Sequence, residues 1–244
     1  MKQIFFVWVL ILVVFLSGCG GSKILKDTAA EKKDADQANI GYLVHYDEID
    51  RDGQSFQSRL FVTRDFLRMD DGPEAEDYLV FDYVRGIIYN VVAEDQSVKR
   101  IDKLTIEYQL DKPAWTIRTS SSRAVVPQMN TNTPAAEHHE FFLDGKSCFN
   151  VISVQAQMNE ITTRLQAYRE VLANSLAGQY QREGKFEDQC HQSIHVLDPL
   201  VRFKHGFPIR EWSITGEQRF VQNIKRGVNI DSALFQIPEA YQQY

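Results

Sequence analysis

The chain opens with an unbroken apolar run, Ile4 to Leu16, preceded by Lys2. The run has 13 residues, whereas a membrane-spanning helix needs roughly 20, so it reads as the core of a signal peptide. From Gly20 to about Asn39 no apolar period appears. Gly, Ser and Ala alternate with charges such as Glu31-Lys32-Lys33-Asp34, the composition of a flexible tether. From Ile40 onward the period is two. Tyr42, Val44 and Tyr46 alternate with Leu43, His45 and Asp47, and Arg51-Asp52-Gly53 supplies a turn into a strand through Leu60 and Val62. Further short strands are predicted at Phe66–Met69, Tyr78–Asp82, Gly86–Val92, Val98–Ile101 and Trp115–Thr119. The acidic turn Asp70-Asp71-Gly72-Pro73 falls between the first two of these. Short strands joined by tight turns, with no helical crossovers, predict an antiparallel sheet.

The stretch Ser120 to Ala136 is rich in Ser, Thr, Asn and Pro and predicts a long surface loop. Phe141 to Lys146 carries an Asp144-Gly145 turn and predicts a second hairpin, continuing through Val151 to Val154. The period then changes. Met158, Ile161, Leu165, Tyr168, Leu172, Leu176 and Tyr180 recur every three or four residues, which predicts a helix of about six turns ending near Gly184. A shorter helix is expected over Phe186 to Leu197, stopped by Pro199. Strands at Phe207–Trp212 and around Phe220–Ile224 precede the closing segment Leu234-Phe235-Gln236-Ile237-Pro238. The expected class is α+β: a curved antiparallel sheet, or half-barrel, with a long and a shorter helix packed on it.

Directly after the apolar run, Leu16-Ser17-Gly18-Cys19 resembles the lipobox of bacterial lipoproteins. That resemblance implies lipid attachment at Cys19, cleavage before it, and acyl chains such as palmitate holding the protein on a membrane. Each buried methylene contributes about 0.8 kcal/mol. Gly20, rather than aspartate, follows the cysteine. By the sorting rule of enteric bacteria this implies the periplasmic face of the outer membrane. The organisation read from the chain is thus a signal peptide over 1–18, a tether over 19–39 and a folded domain over 40–244. A sheet with a helix lying across it, behind a lipobox, is similar to the lipoprotein-localisation family of LolA and LolB. The ending Ser232 to Pro238 resembles the "LF-x-(I/V/L)-P" close of periplasmic proteins with that half-barrel fold. The resemblance implies a concave apolar sheet face that receives acyl chains, and Tyr42, Val44, Tyr46, Phe81, Tyr83 and Tyr89 are its candidate residues.

Charge narrows the partners. With 27 Lys+Arg against 33 Asp+Glu and a net charge of −6, the chain lacks the clustered cations that nucleic-acid binding requires. Removing residues 1–18 takes away Lys2 and no acid, so the mature chain is more acidic still. Anionic headgroups will not attract such a surface, and contact with the membrane is expected through the N-terminal lipid.

Cys148 and Cys190 are the only cysteines besides Cys19. In an oxidising compartment they are expected to form a disulfide, the alternatives being two thiols or a thiol serving a metal. Cys190-His191 with His195, and His205 as a fourth ligand, has zinc-like spacing, but no glutamate follows the first histidine as a zinc protease requires. His138-His139-Glu140 is read as a solvated loop edge. Glu48 to Gly53 resembles the start of a calcium loop, but Arg59 occupies the twelfth position, where a bidentate glutamate is needed. Neither Gly-x-Ser-x-Gly nor a Ser-Lys pair gives a credible nucleophile, and Gly-rich phosphate loops are absent. The expectation is therefore a non-enzymatic lipoprotein without catalytic residues, metal or cofactor. It binds an apolar ligand or lipidated partner. The alternative is an envelope scaffold that holds a protein partner, its cavity filled by its own side chains.

Overall fold

Twelve strands hydrogen-bond into one sheet. The structure is a computed structural model that describes residues 40–103, 112–122, 136–154, 158–183 and 188–244. The signal peptide, Cys19, the tether, the middle of the Ser120–Ala136 stretch, Gly184 and Phe186 lie outside the described residues.

The first half is a meander of β1 (Ile40–Ile49), β2 (Ser55–Val62), β3 (Phe66–Asp70), β4 (Tyr78–Asp82), β5 (Ile87–Val92) and β6 (Ser97–Asp102). The second contains β7 (Trp115–Ser122), β8 (Ala136–Leu143), β9 (Lys146–Val154), β10 (Phe207–Ser213) and β11 (Gln218–Asn229). β11 pairs antiparallel with β1 along its length and joins the two halves. The helices are α1 (Asn159–Glu183) and α2 (Gln189–Gln192), the latter running into a π-helical turn, Ser193–Leu197. The 3-10 turn Val201–Phe203 follows before β10, and the 3-10 turn Ser232–Phe235 precedes the short strand β12 (Gln242–Gln243). Among the described residues no helix is long and apolar enough to cross a membrane.

The expected antiparallel half-barrel is corrected by this topology. The sheet is open, with β12 and β7 as its two ends, and it is mixed, because β12 runs parallel to β6. Period-two patterning states which side chains share a face. It does not state which strands meet at long range, nor that the C-terminal residues return beside Ser97 and Val98. Of the two expected helices, the long one is present as α1. The shorter is a single α turn widened into a π turn.

Local chemistry explains the main turns. Asp50 Oδ1 accepts from the backbone N–H groups of Asp52 and Gln54, at 2.9 and 2.8 Å, so the calcium-like segment is an Asx-type hairpin turn. Asp144 and Gly145 both have positive φ, +50° and +78°, the requirement of a two-residue type I′ turn. Gly41 sits beside a register shift between β1 and β11, and a Cβ there would lie 2.0 Å from the Val62 carbonyl oxygen. Only glycine lets β1 approach β2 so closely.

The main core lies between one sheet face and α1. Val44, Tyr46, Leu60, Val62, Leu67, Phe81 and Ile88 meet Ile161, Leu165, Tyr168 and Val171 of the helix, and Phe207, Ile209 and Val221 extend the contact into the second half. On the opposite face Phe61 and Val80 are covered by Ile230 and Phe235. The closing Leu234-Phe235 segment is thus core, with the Phe235 ring stacked 5.3 Å from that of Phe66. A third cluster joins Phe141, Phe149 and Val151 to Ile194 of the π turn and to Val201.

Candidate functional site

Five of the six residues expected on a ligand-receiving face lie beneath α1. Val44, Tyr46 and Phe81 are buried in the main core, and Tyr42 and Tyr83 pack against its margin. The Tyr42 hydroxyl donates to Glu160 Oε2 at 3.0 Å, and Arg164 of α1 stacks over the Tyr83 ring at 3.7 Å. Tyr89 stands opposite Val80 on β4, which faces the C-terminal segment instead. That sheet face is occupied by the protein's own helix.

Space for a ligand exists elsewhere. A cleft of about 290 Å³ opens between the β1–β2 hairpin, the β10–β11 hairpin, α1 and α2. Cys148 and Cys190 are joined by a disulfide across 42 residues, with a Cα–Cα distance of 5.4 Å, and this bond forms part of the wall. It ties the start of β9 to α2. Asp188 caps α2, its Oδ1 accepting from the N–H groups of Cys190 (2.9 Å) and His191 (3.2 Å). The π turn closes with the Asp198 N–H donating to the Ser193 carbonyl five residues back. In this setting the His191 and His195 rings lie 4.3 Å apart in the cleft.

Charged groups line the same space. Four arginines, Arg51, Arg169, Arg202 and Arg219, meet five carboxylates: Glu48, Asp50, Asp188, Glu211 and Glu217. Each carboxylate is already committed. Arg219 grips Glu48 through Nε and Nη2 at 2.9 and 3.1 Å, Arg202 pairs with Glu211 at 3.1 Å, and Arg51 pairs with Glu217 at 3.0 Å. Asp50 and Asp188 hold backbone N–H groups. Arg169, half-buried on α1, has no ion-pair partner among the described residues. Burial, and then the nearby charge of Arg202, lower its pKa to about 10. Burial followed by Arg202 and Arg169 drives the His195 pKa down to about 2. Burial and then Arg51 lower that of His191. His195 thus feels the charges of Arg202 and Arg169 in a cleft whose lining also includes Phe149, Ile194, Trp212 and Ile214.

A pH dependence follows for His195. It is neutral in the folded protein but titrates at 6.5 when unfolded, so below pH 6.5 the unfolded chain binds the extra proton. Its contribution is complete above 6.5 and is lost as pH falls towards 2. Between pH 7 and pH 5 the loss is about 2 kcal/mol. Urea unfolding at the two pH values, compared between the wild type and His195→Gln, checks this; equal pH slopes in the two proteins would refute it.

The zinc-like set Cys190, His191, His195 and His205 is not assembled. Cys190 is in the disulfide, and His205 stacks on His139, with ring centroids 3.8 Å apart. The sequence reading missed Arg169, Arg202 and Arg219. They lie on α1, a 3-10 turn and β11, and no linear spacing connects them.

No family model matches the chain, and no curated protein matches it. Among solved structures, an uncharacterized conserved protein from Thermus thermophilus is similar, with a TM-score of 0.45 and 11% identity over 89% of this chain and 98% of that one. Two structures of PNGF-II, in P21 and C2 space groups, give TM-scores of 0.39 and 0.40 at 7% identity. They cover 81% and 84% of this chain but only 30% and 31% of PNGF-II. Likenesses this loose have no bearing on function.

Proposed function

We propose that this protein is a non-enzymatic lipoprotein, anchored by Cys19 to the outer membrane and facing the periplasm, that binds an amphipathic ligand with an anionic group in the cleft beside the disulfide. The supporting observation is Arg169: a half-buried cation without an ion-pair partner among the described residues, lining a cleft whose carboxylates are otherwise engaged. A carboxylate or phosphate would supply the missing counter-charge through a charge-assisted hydrogen bond. Phe149, Ile194, Trp212 and Ile214 would receive the apolar part. A cleft of about 290 Å³ accommodates a short acyl chain, at the lower bound of small-molecule sites.

The test is native mass spectrometry of the Cys19→Ser protein purified without detergent, which removes its own lipid from the signal, followed by titration with dodecanoate. A stoichiometric adduct is expected. Arg169→Leu should weaken dodecanoate binding about tenfold, the loss of one charged hydrogen bond. A clean mass with no uptake of dodecanoate or lipopeptide would overturn the reading. It would favour the second one, an envelope scaffold that holds a protein partner. The scaffold reading rests on the packing of α1 against that sheet face.

A further inference from the structure

Away from the cleft, β7, β8 and the residue preceding Gly206 bring a different group of side chains together. Glu137 and His139 are two apart on β8 and so point to the same face. His205, just before β10, lays its ring against that of His139 with centroids 3.8 Å apart. The His139 side chain is 1% exposed, and its Nε2 is buried without a hydrogen-bond partner, as is Nε2 of His205. Glu137 Oε2 is 3.6 Å from His139 Nε2. Two adjacent buried ring nitrogens, both lacking a hydrogen-bond partner, are costly in a folded protein and call for an explanation.

We propose that Glu137, His139 and His205 form a three-ligand site for a borderline divalent cation of the zinc type. One ligand atom from each residue lies within 4.8 Å of the others. The ligand atoms of tetrahedral zinc are roughly 3.3 Å apart, so the two stacked rings must splay and the carboxylate must turn for all three ligand atoms to meet at one ion. Two imidazoles and a carboxylate suit zinc and leave a fourth position open. The surroundings are those of an oriented ligand. Thr119 Oγ1, across the β7–β8 pair, is 3.0 Å from His139 Nδ1, which leaves Nε2 to face the metal. Ser153 Oγ donates to the His205 carbonyl at 3.0 Å and fixes the loop that carries the second imidazole. The disulfide removes the only thiols among the described residues that would compete.

The test is calorimetric titration of zinc chloride into the full-length protein, purified in detergent after EDTA treatment. One zinc per chain is expected. Glu137→Gln and His205→Ala should each weaken binding by at least about tenfold, and Thr119→Val, acting only on the orientation of His139, by about 10- to 100-fold. Circular dichroism on each variant confirms folding, and Glu137→Gln, a conservative change of a half-exposed side chain, keeps the test decisive if His205→Ala unfolds. A flat wild-type isotherm, or undiminished binding in folded Glu137→Gln, would overturn the site.

Discussion

Asp70→Ala is expected to destabilise the protein by about 3 to 5 kcal/mol, the cost of leaving a buried charge without its partner. The Asp70 side chain is fully buried. Its Oδ1 accepts from Arg59 Nε at 2.7 Å and its Oδ2 from Arg68 Nε at 2.8 Å. Arg68 is itself 8% exposed, lies 3.8 Å over the Tyr78 ring, and donates through Nη1 to the Leu234 carbonyl at 2.6 Å. Arg59 reaches on through Nη2 to the Gly72 carbonyl at 2.7 Å. Removing the carboxylate strands two guanidinium groups, one of them between the sheet and the C-terminal segment. Part of the damage should therefore appear as loosening of Leu234 and Phe235. Urea unfolding measures the stability, and amide exchange at residues 233–236 locates the loosening. The double variant Asp70→Ala/Arg68→Met should recover a substantial part of the loss, because it also removes the stranded charge. A single-variant loss below about 1 kcal/mol, typical of a surface ion pair, would show that the network contributes little.

Loss of the Cys148–Cys190 bond is the second large effect. The two cysteines are 42 residues apart, and in the loop-entropy account the bond removes about 3 to 4 kcal/mol of unfolded-state freedom. The enclosed segment contains all of α1, the element that covers the main core. Cys190 also sits on a helix of only four residues, followed by a π turn, which cannot hold its position by local hydrogen bonding alone. The Cys148→Ser/Cys190→Ser protein is accordingly expected to unfold at lower denaturant and to bind dodecanoate more weakly, because His191, His195 and Asp188 lose their anchor to β9. Reduction of the wild-type protein should reproduce both changes. Unchanged unfolding midpoints would refute the stabilising role, and unchanged binding in a folded variant would separate the disulfide from the cleft.

What can be read from the chain follows the range of the physical signal. The period of two carried by Tyr42, Val44 and Tyr46 marks β1, and the Asp144-Gly145 pair marks the β8–β9 turn, because pleat and turn stereochemistry act over a few residues. The helical stripe from Met158 marks α1 for the same reason, and the residues Ile161, Leu165 and Tyr168 are indeed its buried face. Compartment and parity were enough to expect the cysteine pairing. Strand order was not legible. Nothing within reach of β1 announces that β11, more than 160 residues later, lies along it, or that the C-terminal residues return parallel to β6.

The same limit separates sites from elements. The sequence by itself determined the strand-rich character of the domain, its long amphipathic helix and its turns, since each is set by neighbours in the chain. Tertiary structure alone decided that the aromatic sheet face is closed by α1, that Arg169, Arg202 and Arg219 share a cleft with His191 and His195, and that His205 leaves them for His139. Such groupings depend on the packing of elements distant in sequence. The free energy of that packing comes from side chains meeting across space, and local periodicity carries no record of it.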